Sequence, residues 1–488
     1  MNRKILFLFL LLGVFAPELR AQLSGQNLME YQFGRLPTET GSSFSTIYDR
    51  FLLDYSLKGF KAGGTLEQFY SPFETRNYTR LSQYRLHYNS KPVELKIGHF
   101  YETIGRGMML RSYEIPGAIL EDKSYRSRQY FHRDLLGFSA KFRHKGFTAK
   151  MIWAKPLINV LPPTFKEKDR RLDRIAAVQA DYSIKGQLIG AAVMLLNNAS
   201  GKSWFAMANA SGNIFPFLSY YSELVKNTGE LAISNFSSAS SFAFYGNLNL
   251  SFDQFGLSAE YKNYNNFLLG SGFNEPPALV REHSYKVLNR STHVLQPQNE
   301  KGFQLEGFIH FSDESALTLN YTRAVNEFGR KYIFQEYFTE YSFSLKEKHD
   351  LKLFTDWTQD PFKLEKDRIS SGFYADWKLG NTTSVNTSYE FQTFTRSGNA
   401  VQNQVFSIGI SAKAKFSGYF VAEWSNDPVI VEKDSKIWLG TGLKYKVNSR
   451  NSLQFFAGER RGGPACNSGV CYEVLDFKGV ELRLSSRF

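Results

Sequence analysis

The stretch VFSIGISAKA, residues 405–414, alternates between apolar and small or polar side chains. Phe406 and Ile408 fall on one face of an extended chain, and Ser407 and Gly409 fall on the other. Because successive side chains of a β-strand point to opposite faces, this period of two predicts a strand with one apolar and one polar face. The same alternation recurs in residues 178–184, 244–252, 317–322 and 437–445. We therefore expect an all-β protein.

The connections between the predicted strands fall into two classes of length. Short connections with the composition of hairpin turns occur at 58–59, 89–92, 145–146, 185–186, 253–254, 312–314, 380–381, 415–416 and 449–451. Longer polar connections occur at 103–132, 156–171, 227–239, 265–301, 326–332, 360–367, 396–401, 427–434 and 461–471. Short turns at one rim and long loops at the other are typical of an outer-membrane β-barrel, whose short turns are periplasmic. A soluble sandwich and a propeller are the alternatives, and both fit this pattern less well.

The last predicted strand ends on VELRLSSRF, residues 480–488. Counting back from it in alternating directions, a strand at 44–57 descends and a first strand at 27–35 rises beside it. The sequence predicts a single closed antiparallel transmembrane β-barrel of about 24 strands, within a range of about 20–24. The last strand should pair with the first, since closure removes the edges that lipid would otherwise meet. The terminal Phe488 resembles the recognition signal that outer-membrane assembly machinery reads.

The N-terminus has the layout of a secretory signal peptide. Arg3 and Lys4 precede an apolar run at 5–16, and the small residue Ala21 offers a cleavage point. The run is too short to span a membrane as a helix. We expect a cleaved signal peptide at 1–21, a barrel at 22–488, and a location in the outer membrane of a Gram-negative bacterium.

Composition and charge bear on the partners. The chain has 44 Phe, 27 Tyr and 6 Trp, well above ordinary globular usage, and a formal net charge of +13. The charge could serve a nucleic acid or another polyanion, or it could face anionic lipid headgroups. The basic residues are spread over most turns and loops, which favours outer-membrane lipid and lipopolysaccharide as partners, and no nucleic acid.

The chain has two cysteines, Cys466 and Cys471, separated by four residues. In an oxidising compartment two close cysteines usually pair, so we predict a structural disulfide, with free thiols as the alternative. A metal site would need more ligands than these two, and no histidine lies near them in the sequence.

Residues 97–128 interrupt the alternation after a regular strand. Arg106, Arg111 and Glu114 are candidates for a lumen constriction, with Arg111 and Glu114 spaced to pair with each other. The competing interpretation is a bulged, salt-bridged loop that only caps the barrel. A barrel of this circumference encloses a wide lumen, and the connections at 103–132 and 265–301 are the candidates to narrow it.

No catalytic motif is present: the chain lacks the nucleophile elbow, the zinc-protease helix motif and the phosphate-binding loop. The eight histidines are scattered, although His132 or His283 with a nearby acid could imitate a surface hydrolase site. We expect no enzyme activity, no catalytic or metal-binding residues and no cofactor.

The stretch GHFYETIGRGMMLRSYE, residues 98–114, resembles the signature G-x-F-Y-E-x-x-G-x-G-x-x-L-R-x-Y-E of a family of Bacteroidota-type outer-membrane β-barrels. The matching positions are Gly98, Phe100, Tyr101, Glu102, Gly105, Gly107, Leu110, Arg111, Tyr113 and Glu114. Residues 460–488 also resemble the end of that family, including its cysteine-bridged hairpin. The resemblance implies an outer-membrane barrel and brings no activity, ligand or catalytic residue with it.

Two functions from different classes remain open. The first is a channel or transporter-like barrel for small polar or anionic solutes. The second is a non-conducting structural or accessory barrel of a larger surface-secretion or outer-membrane assembly complex. A conductive pore should place inward charges of one sign, as Lys413, Lys436 and Lys444 suggest, whereas a plugged scaffold should pair its inward charges with each other.

Overall fold

A computed structural model describes residues 22–35, 42–159, 161–164, 167–229, 241–431, 434–467 and 470–488. The predicted signal peptide at 1–21 lies outside these residues. Twenty-four strands form one antiparallel sheet. They are β1 (Leu23–Arg35), β2 (Ser43–Leu57), β3 (Phe60–Tyr70), β4 (Tyr78–Asn89), β5 (Val93–Phe100), β10 (Leu135–His144), β11 (Phe147–Pro156), β12 (Arg174–Ile184), β13 (Gln187–Asn198), β14 (Gly201–Phe215), β15 (Leu218–Gly229), β16 (Phe242–Ser251), β17 (Phe255–Asn265), β18 (Asn299–Ser312), β19 (Ser315–Phe328), β20 (Arg330–Leu345), β21 (His349–Asp360), β22 (Glu365–Lys378), β23 (Thr383–Arg396), β24 (Asn399–Ala412), β25 (Phe416–Ser425), β26 (Lys436–Lys446), β27 (Asn451–Arg460) and β30 (Phe477–Arg487).

The remaining elements are short. Six strands stand outside the large sheet: β6 (Thr103–Ile104), β7 (Leu110–Arg111), β8 (Tyr113–Glu121), β9 (Arg128–Arg133), β28 (Gly463–Asn467) and β29 (Val470–Val474). The helical elements of the described residues are two 3-10 turns, Glu74–Arg76 and Glu167–Arg170, and the helix α1 (Lys286–Arg290). Within the described ranges, no helix is long and apolar enough to cross a membrane.

The sheet closes on itself at β1, which pairs with β2 on one side and with β30 on the other. The register at this seam places Gln26 opposite Arg487. The chain end fastens it: the Gly25 N–H donates to the Phe488 carbonyl at 2.9 Å, and the Phe488 N–H donates back at 3.1 Å. The Phe488 ring stacks on Phe51 with 5.9 Å between centroids. The predicted closed barrel of 24 strands, with its last strand on its first, is confirmed.

The wall has the two faces that the alternation predicts. In β12, Val178 is 56% exposed on the outer face, whereas Gln179 is 8% exposed on the lumen face. In β11, Trp153 is 61% exposed and the neighbouring Ile152 is 1% exposed. The outer face is an apolar surface rich in aromatic side chains, as a lipid-facing wall requires.

The two rims differ as predicted, with one correction. All connections at one rim, the short-turn end, are tight: 58–59, 90–92, 145–146, 185–186, 216–217, 252–254, 313–314, 346–348, 379–382, 413–415 and 447–450. The long connections lie at the opposite rim, the loop end. Three that were expected to be long, at 326–332, 360–367 and 396–401, are instead tight turns between extended strands. These stretches have the polar composition of loops. Their backbones nevertheless stay paired as strands beyond the part of the wall whose outer face is apolar.

Two long connections turn into the lumen. We name residues 101–134 the first inner segment and residues 266–298 the second inner segment. The first contains β6 to β9, and the second contains α1. At the loop end, the connection at 461–476 adds the β28–β29 hairpin, which packs on α1.

The backbone register of the β28–β29 hairpin places Cys466 opposite Cys471. The side chains of residues 465–472 lie outside those that the structure describes. The disulfide therefore stays a prediction.

Candidate functional site: the occluded lumen

The barrel wall presents a series of carboxylates to the lumen, all buried except the half-buried Glu306 and Glu340. They stand on β1, β3, β15, β18, β20, β23 and β25, at positions whose sequence neighbours face outward. The series consists of Glu30, Glu67, Glu223, Glu300, Glu306, Glu336, Glu340, Glu390 and Glu423. Removing a carboxylate from water costs several kcal/mol unless a charged or hydrogen-bonding partner replaces the water. For each of these carboxylates, the inner segments supply such a partner.

The first inner segment docks on β1 and β3. The Arg128 guanidinium donates to Glu30 of the wall, and its Nε lies 2.7 Å from Glu121 Oε1 of the same segment. Arg128 is 3% exposed. Two residues further on, the Tyr130 N–H donates to Glu67 Oε1 at 2.8 Å. A charged pair and a charge-assisted backbone hydrogen bond thus hold this hairpin against β1 and β3, the strands on either side of β2.

The tip of the first inner segment approaches β15 so closely that only glycine fits. The Arg106 N–H donates to Glu223 Oε2 at 2.6 Å, and the Arg106 guanidinium lies over the Tyr221 ring. Gly105 has φ +60°, and a Cβ there would stand 2.3 Å from the Glu223 carboxylate oxygens. This contact gives a physical reason for the glycine before Arg106.

The two inner segments also bind each other. The Glu275 N–H donates to the Gly107 carbonyl at 2.9 Å, and the Arg111 N–H donates to the Phe273 carbonyl at 3.1 Å. Asn274 Nδ2 donates to the Met108 carbonyl at 2.9 Å. Around these bonds, apolar side chains of both segments and of the wall form one buried cluster that includes Ile104, Met108, Met109, Leu110, Phe205, Phe267 and Phe273. The segments therefore form a single packed body across the lumen.

The second inner segment docks on other strands of the wall, including β23 and β25. Arg290 Nη1 and Nη2 lie 2.5 and 3.2 Å from the two Glu423 oxygens. At the start of α1, the Glu390 carboxylate accepts hydrogen bonds from the Lys286 and Val287 N–H groups at 3.2 and 2.8 Å. A carboxylate at this position satisfies N–H groups that a helix leaves without intrahelical partners.

Further contacts of the second inner segment reach β18 and β20. Arg281 pairs with Glu306. His283 Nε2 lies 3.2 Å from Glu336 Oε1, and His293 Nε2 lies 3.5 Å from Glu300 Oε2. The segment therefore contacts β18 and β20, as well as β23 and β25, through charged side chains.

Tyr285 anchors the same segment through its hydroxyl group and through its aromatic ring. Its hydroxyl donates to Glu340 Oε2 at 2.5 Å, and its ring stacks on Phe354 with 3.8 Å between centroids. A tyrosine removed from water in this way stabilises the docked segment by the burial of its ring and by the hydrogen bond of its hydroxyl.

The predicted constriction residues lie in the occluded region, but the expected pair is different. Glu114 pairs with Arg50 of β2 at 3.5 Å and accepts a hydrogen bond from the Tyr101 hydroxyl at 3.2 Å. The Arg111 guanidinium lies over the Tyr113 ring, 5.1 Å from its centroid. The pairing predicted between Arg111 and Glu114 is thus replaced by one between the segment and the wall, because folding inward brings β2 within reach of the carboxylate.

The remaining positions of the 98–114 stretch serve the same docking. Glu102 lies 2.6 Å from Lys96 Nζ of β5 and 3.2 Å from Lys150 Nζ of β11. Phe100 and Leu110 are buried in the apolar cluster. This stretch is the start of the inward fold, and neither a cap at the rim nor a free lining of a pore.

The three lysines expected to face inward have different environments. Lys413 lies in a short turn outside the strands, with φ +51°. Lys436 pairs with Glu459 at 2.7 Å near the loop end. Lys444 lines a cavity at the short-turn end. Inward carboxylates across the middle of the barrel are instead paired with an opposite charge, as Glu30 is with Arg128, or with neutral donors, as Glu223 is with the Arg106 N–H.

Cavities remain on both sides of the occlusion. At the loop end, a cavity of about 530 Å³ lies between α1, the wall strands β22 to β24 and the connection at 461–476. At the short-turn end, a cavity of about 640 Å³ lies beside the seam. The occlusion thus separates two vestibules.

Sequence reasoning missed the wall carboxylates and most of their partners in residues 281–293. A usable signal exists in the alternation, because an acidic residue at an inward position of a predicted strand needs a partner inside the lumen. The two histidines weighed as mimics of a hydrolase site, His132 and His283, are both 3% exposed in this packing. Among the described residues, no group of three or more potential ligands is arranged to hold a metal ion.

Two histidines of the inner segments should respond to pH in opposite directions. Burial is the main cause that lowers the pKa of His132 from 6.5 to about 4. Asp134 and Glu67 oppose this shift, and Arg170 and Arg50 act in the same direction as burial. The undocked segment then binds more protons between about pH 4 and 6.5, so docking of the first inner segment should weaken as pH falls through that window, by at most about 3 kcal/mol.

For His293, burial lowers the pKa, but hydrogen bonds to Asp360 and Glu300 outweigh it and the net pKa is raised. Its contribution is complete below pH 6.5 and is lost as the pH rises through the folded-state pKa, so the second inner segment should loosen on the alkaline side. Both pH responses can be checked by hydrogen exchange of the two inner segments, measured by mass spectrometry and corrected for the intrinsic exchange rates. His132→Gln and His293→Gln should each abolish the response of one segment; the same response in both segments would contradict the assignment.

Comparison with protein families gives one match. The model described as "Family of unknown function (DUF6029)" matches residues 7–115 and 211–488, which include the 98–114 stretch and the C-terminal strand. No curated protein matches the chain.

Solved structures similar to this one are membrane barrels. The P pilus usher (PapC) translocation pore aligns with a TM-score of 0.51 at 9% identity, covering 95% of this chain and 99% of that one. OccK5 (OpdH) of Pseudomonas aeruginosa aligns at 0.41 and 12% identity, covering 76% and 98%. The siderophore receptor PirA of Pseudomonas aeruginosa aligns at 0.42 and 8% identity, covering 96% and 80%. The likeness to the usher pore shows the fold alone, which is that of an outer-membrane β-barrel.

Proposed function

Since the chain belongs to the DUF6029 family of unknown function, we propose its role from the lumen itself: a closed, non-conducting outer-membrane barrel that serves as a structural or accessory unit of a larger surface complex. The observation that carries this proposal is the pairing of buried wall carboxylates with two inner segments that bind each other.

The charge pattern favours this role over a permanently open channel. A conducting pore keeps its lumen charges hydrated so that solutes can exchange with them. Here the charges of the middle lumen are buried and matched, as in Glu30 with Arg128 and Glu423 with Arg290. Releasing them singly would leave unpaired buried charges, which is costly.

Planar-bilayer recording of the refolded protein tests the proposal. At neutral pH and low voltage the wild-type barrel should insert without conductance steps. Stable single-channel steps from the unmodified protein would overturn the non-conducting role, and an anion preference in those steps would support the second candidate.

The second candidate is a gated channel for small polar or anionic solutes. The two vestibules favour it, since a solute could enter from either side once the inner segments moved. The gated channel differs from the closed accessory barrel because it requires a signal that releases the two inner segments from the wall.

The outer wall supports a location in the outer membrane, with lipid and lipopolysaccharide around the apolar belt. The formal net charge of +13 suits contact with anionic headgroups. Assembly would use the outer-membrane assembly machinery. The Bacteroidota-type assignment rests on the resemblance of residues 98–114.

Deleting Phe488 should lower the membrane level of the protein more than Phe406→Ala does in a mid-barrel strand. Phe488 closes the seam through its backbone bonds to Gly25 and its stacking on Phe51, whereas Phe406 only faces lipid, 41% exposed. Immunoblots of outer-membrane fractions measure this, and equal levels would refute it.

Refolding into detergent without cellular machinery separates the two roles of Phe488. If the residue acts as a recognition signal alone, the deleted protein should refold like the wild type. A refolding defect of similar size would assign the effect to the seam.

A further inference from the structure

The cavity at the short-turn end has an unbalanced charge. Its lining includes six cations, Arg50, Lys444, Lys446, Arg450, Arg483 and Arg487, and no carboxylate. We call it the basic basin. It spans the inner face of β2, β1, β30, β27 and β26, in that order around the wall, so it straddles the seam.

The basin differs from the rest of the lumen in leaving its cations unmatched. Arg50 and Arg483 already pair with Glu114 and Glu30. Among the residues that the structure describes, Lys444, Lys446, Arg450 and Arg487 form no ion pair, and all are exposed. The middle lumen matches its buried charges, so this open set of cations stands apart from the docking network.

The size and shape of the basin indicate an extended ligand. Five neighbouring strands at a spacing of about 4.8 Å span roughly 19 Å, and the five residues from Arg483 to Arg487 span about 13 Å. A single small anion can contact only part of that area. An extended peptide advances about 3.3 Å per residue, so a segment of roughly six residues would cross it.

The other lining groups suit a polypeptide. They include the hydroxyl and amide side chains of Gln26, Asn448, Ser449, Ser452, Gln454 and Ser485. Such groups donate and accept hydrogen bonds, as the backbone of an extended peptide requires. The basin opens at the rim where the chain terminus lies, on the periplasmic side in the proposed orientation.

We propose that the basic basin binds an acidic, extended peptide segment of a periplasmic partner protein. The proposal rests on the accessory role and names the kind of partner that this role requires at the short-turn end. Attraction between the unmatched cations and the acidic side chains would steer the segment to the seam, and would weaken with salt.

Binding of a fluorescein-labelled hexaglutamate peptide to the refolded barrel, followed by fluorescence anisotropy, tests the proposal. The variant Lys444→Gln/Lys446→Gln/Arg450→Gln should weaken binding at least tenfold. The control Lys145→Gln/Lys185→Gln/Lys346→Gln removes the same charge from exposed positions of other short turns and should change binding less than twofold. A heat-dependent gel shift verifies that each variant is folded.

Three outcomes would overturn the proposal: absence of hexaglutamate binding, equal loss in both triple variants, or equal binding of a neutral hexaglutamine peptide. If inorganic phosphate displaced the hexaglutamate peptide when both supply the same concentration of negative charge, the basic basin would be assigned to a small anion instead. Conductance is recorded separately without peptide, so a conducting barrel would count against the accessory role and leave the binding result intact.

Discussion

Replacing Arg128 by leucine should turn a silent barrel into a conducting one. Arg128 is buried between Glu30 of the wall and Glu121 of the first inner segment. Its removal leaves Glu30 with the partly exposed Arg483 and Glu121 with Arg126, so the cost is at most about 3–5 kcal/mol, that of breaking a buried ion pair. The undocked population should therefore rise by at most roughly two to four orders of magnitude, and planar bilayers should show stepwise openings that the wild type lacks.

A matched variant separates docking from a general loss of charge. Arg143 pairs with Glu94 at 2.7 Å, but its side chain is 40% exposed on the wall strand β10. Exposed pairs contribute about 0–1 kcal/mol, so Arg143→Leu should stay silent. Hydrogen exchange on residues 101–134 should rise in the Arg128 variant alone. A variant whose first inner segment exchanges quickly while the bilayer remains silent would show that this segment does not close the lumen.

The wall of the barrel could be predicted from the sequence because its rule is local. The alternation in residues 405–414 fixes which side chains face lipid, and the short turns fix antiparallel order. The pairing of the last strand with the first was predicted because the sheet has to close, and the structure pairs β30 with β1.

The contents of the lumen depend on contacts that no local pattern encodes. Arg128 meets Glu30 across 98 positions of sequence, and Arg290 meets Glu423 across 133. Length and lost alternation marked the two inner segments as unusual, but the direction in which a loop folds depends on partners elsewhere in the chain. The predicted pair of Arg111 and Glu114 shows this, since sequence proximity suggested a local bond and Arg50 of the wall forms it instead.

The seam itself depends on a row of glycines that alternation alone would not explain. Gly34, Gly479, Gly458 and Gly440 lie side by side on β1, β30, β27 and β26. A Cβ at Gly479 would stand 2.1 Å from the Phe33 carbonyl oxygen and 2.5 Å from Gly34 Cα. Both atoms belong to the backbone, so the strands would have to separate where the barrel closes.

Gly479→Ala should therefore lower the folded fraction strongly. Strand separation at the seam sacrifices backbone hydrogen bonds that lipid cannot replace, and each unsatisfied group costs several kcal/mol. The heat-dependent gel shift of the refolded protein reports the closed barrel. Gly380→Ala is the control, because a Cβ at this short-turn glycine meets no atom within 4 Å. If both variants close equally well, the wall can relax around position 479, and closure of this barrel depends on the pairing of β1 with β30 without the glycine row.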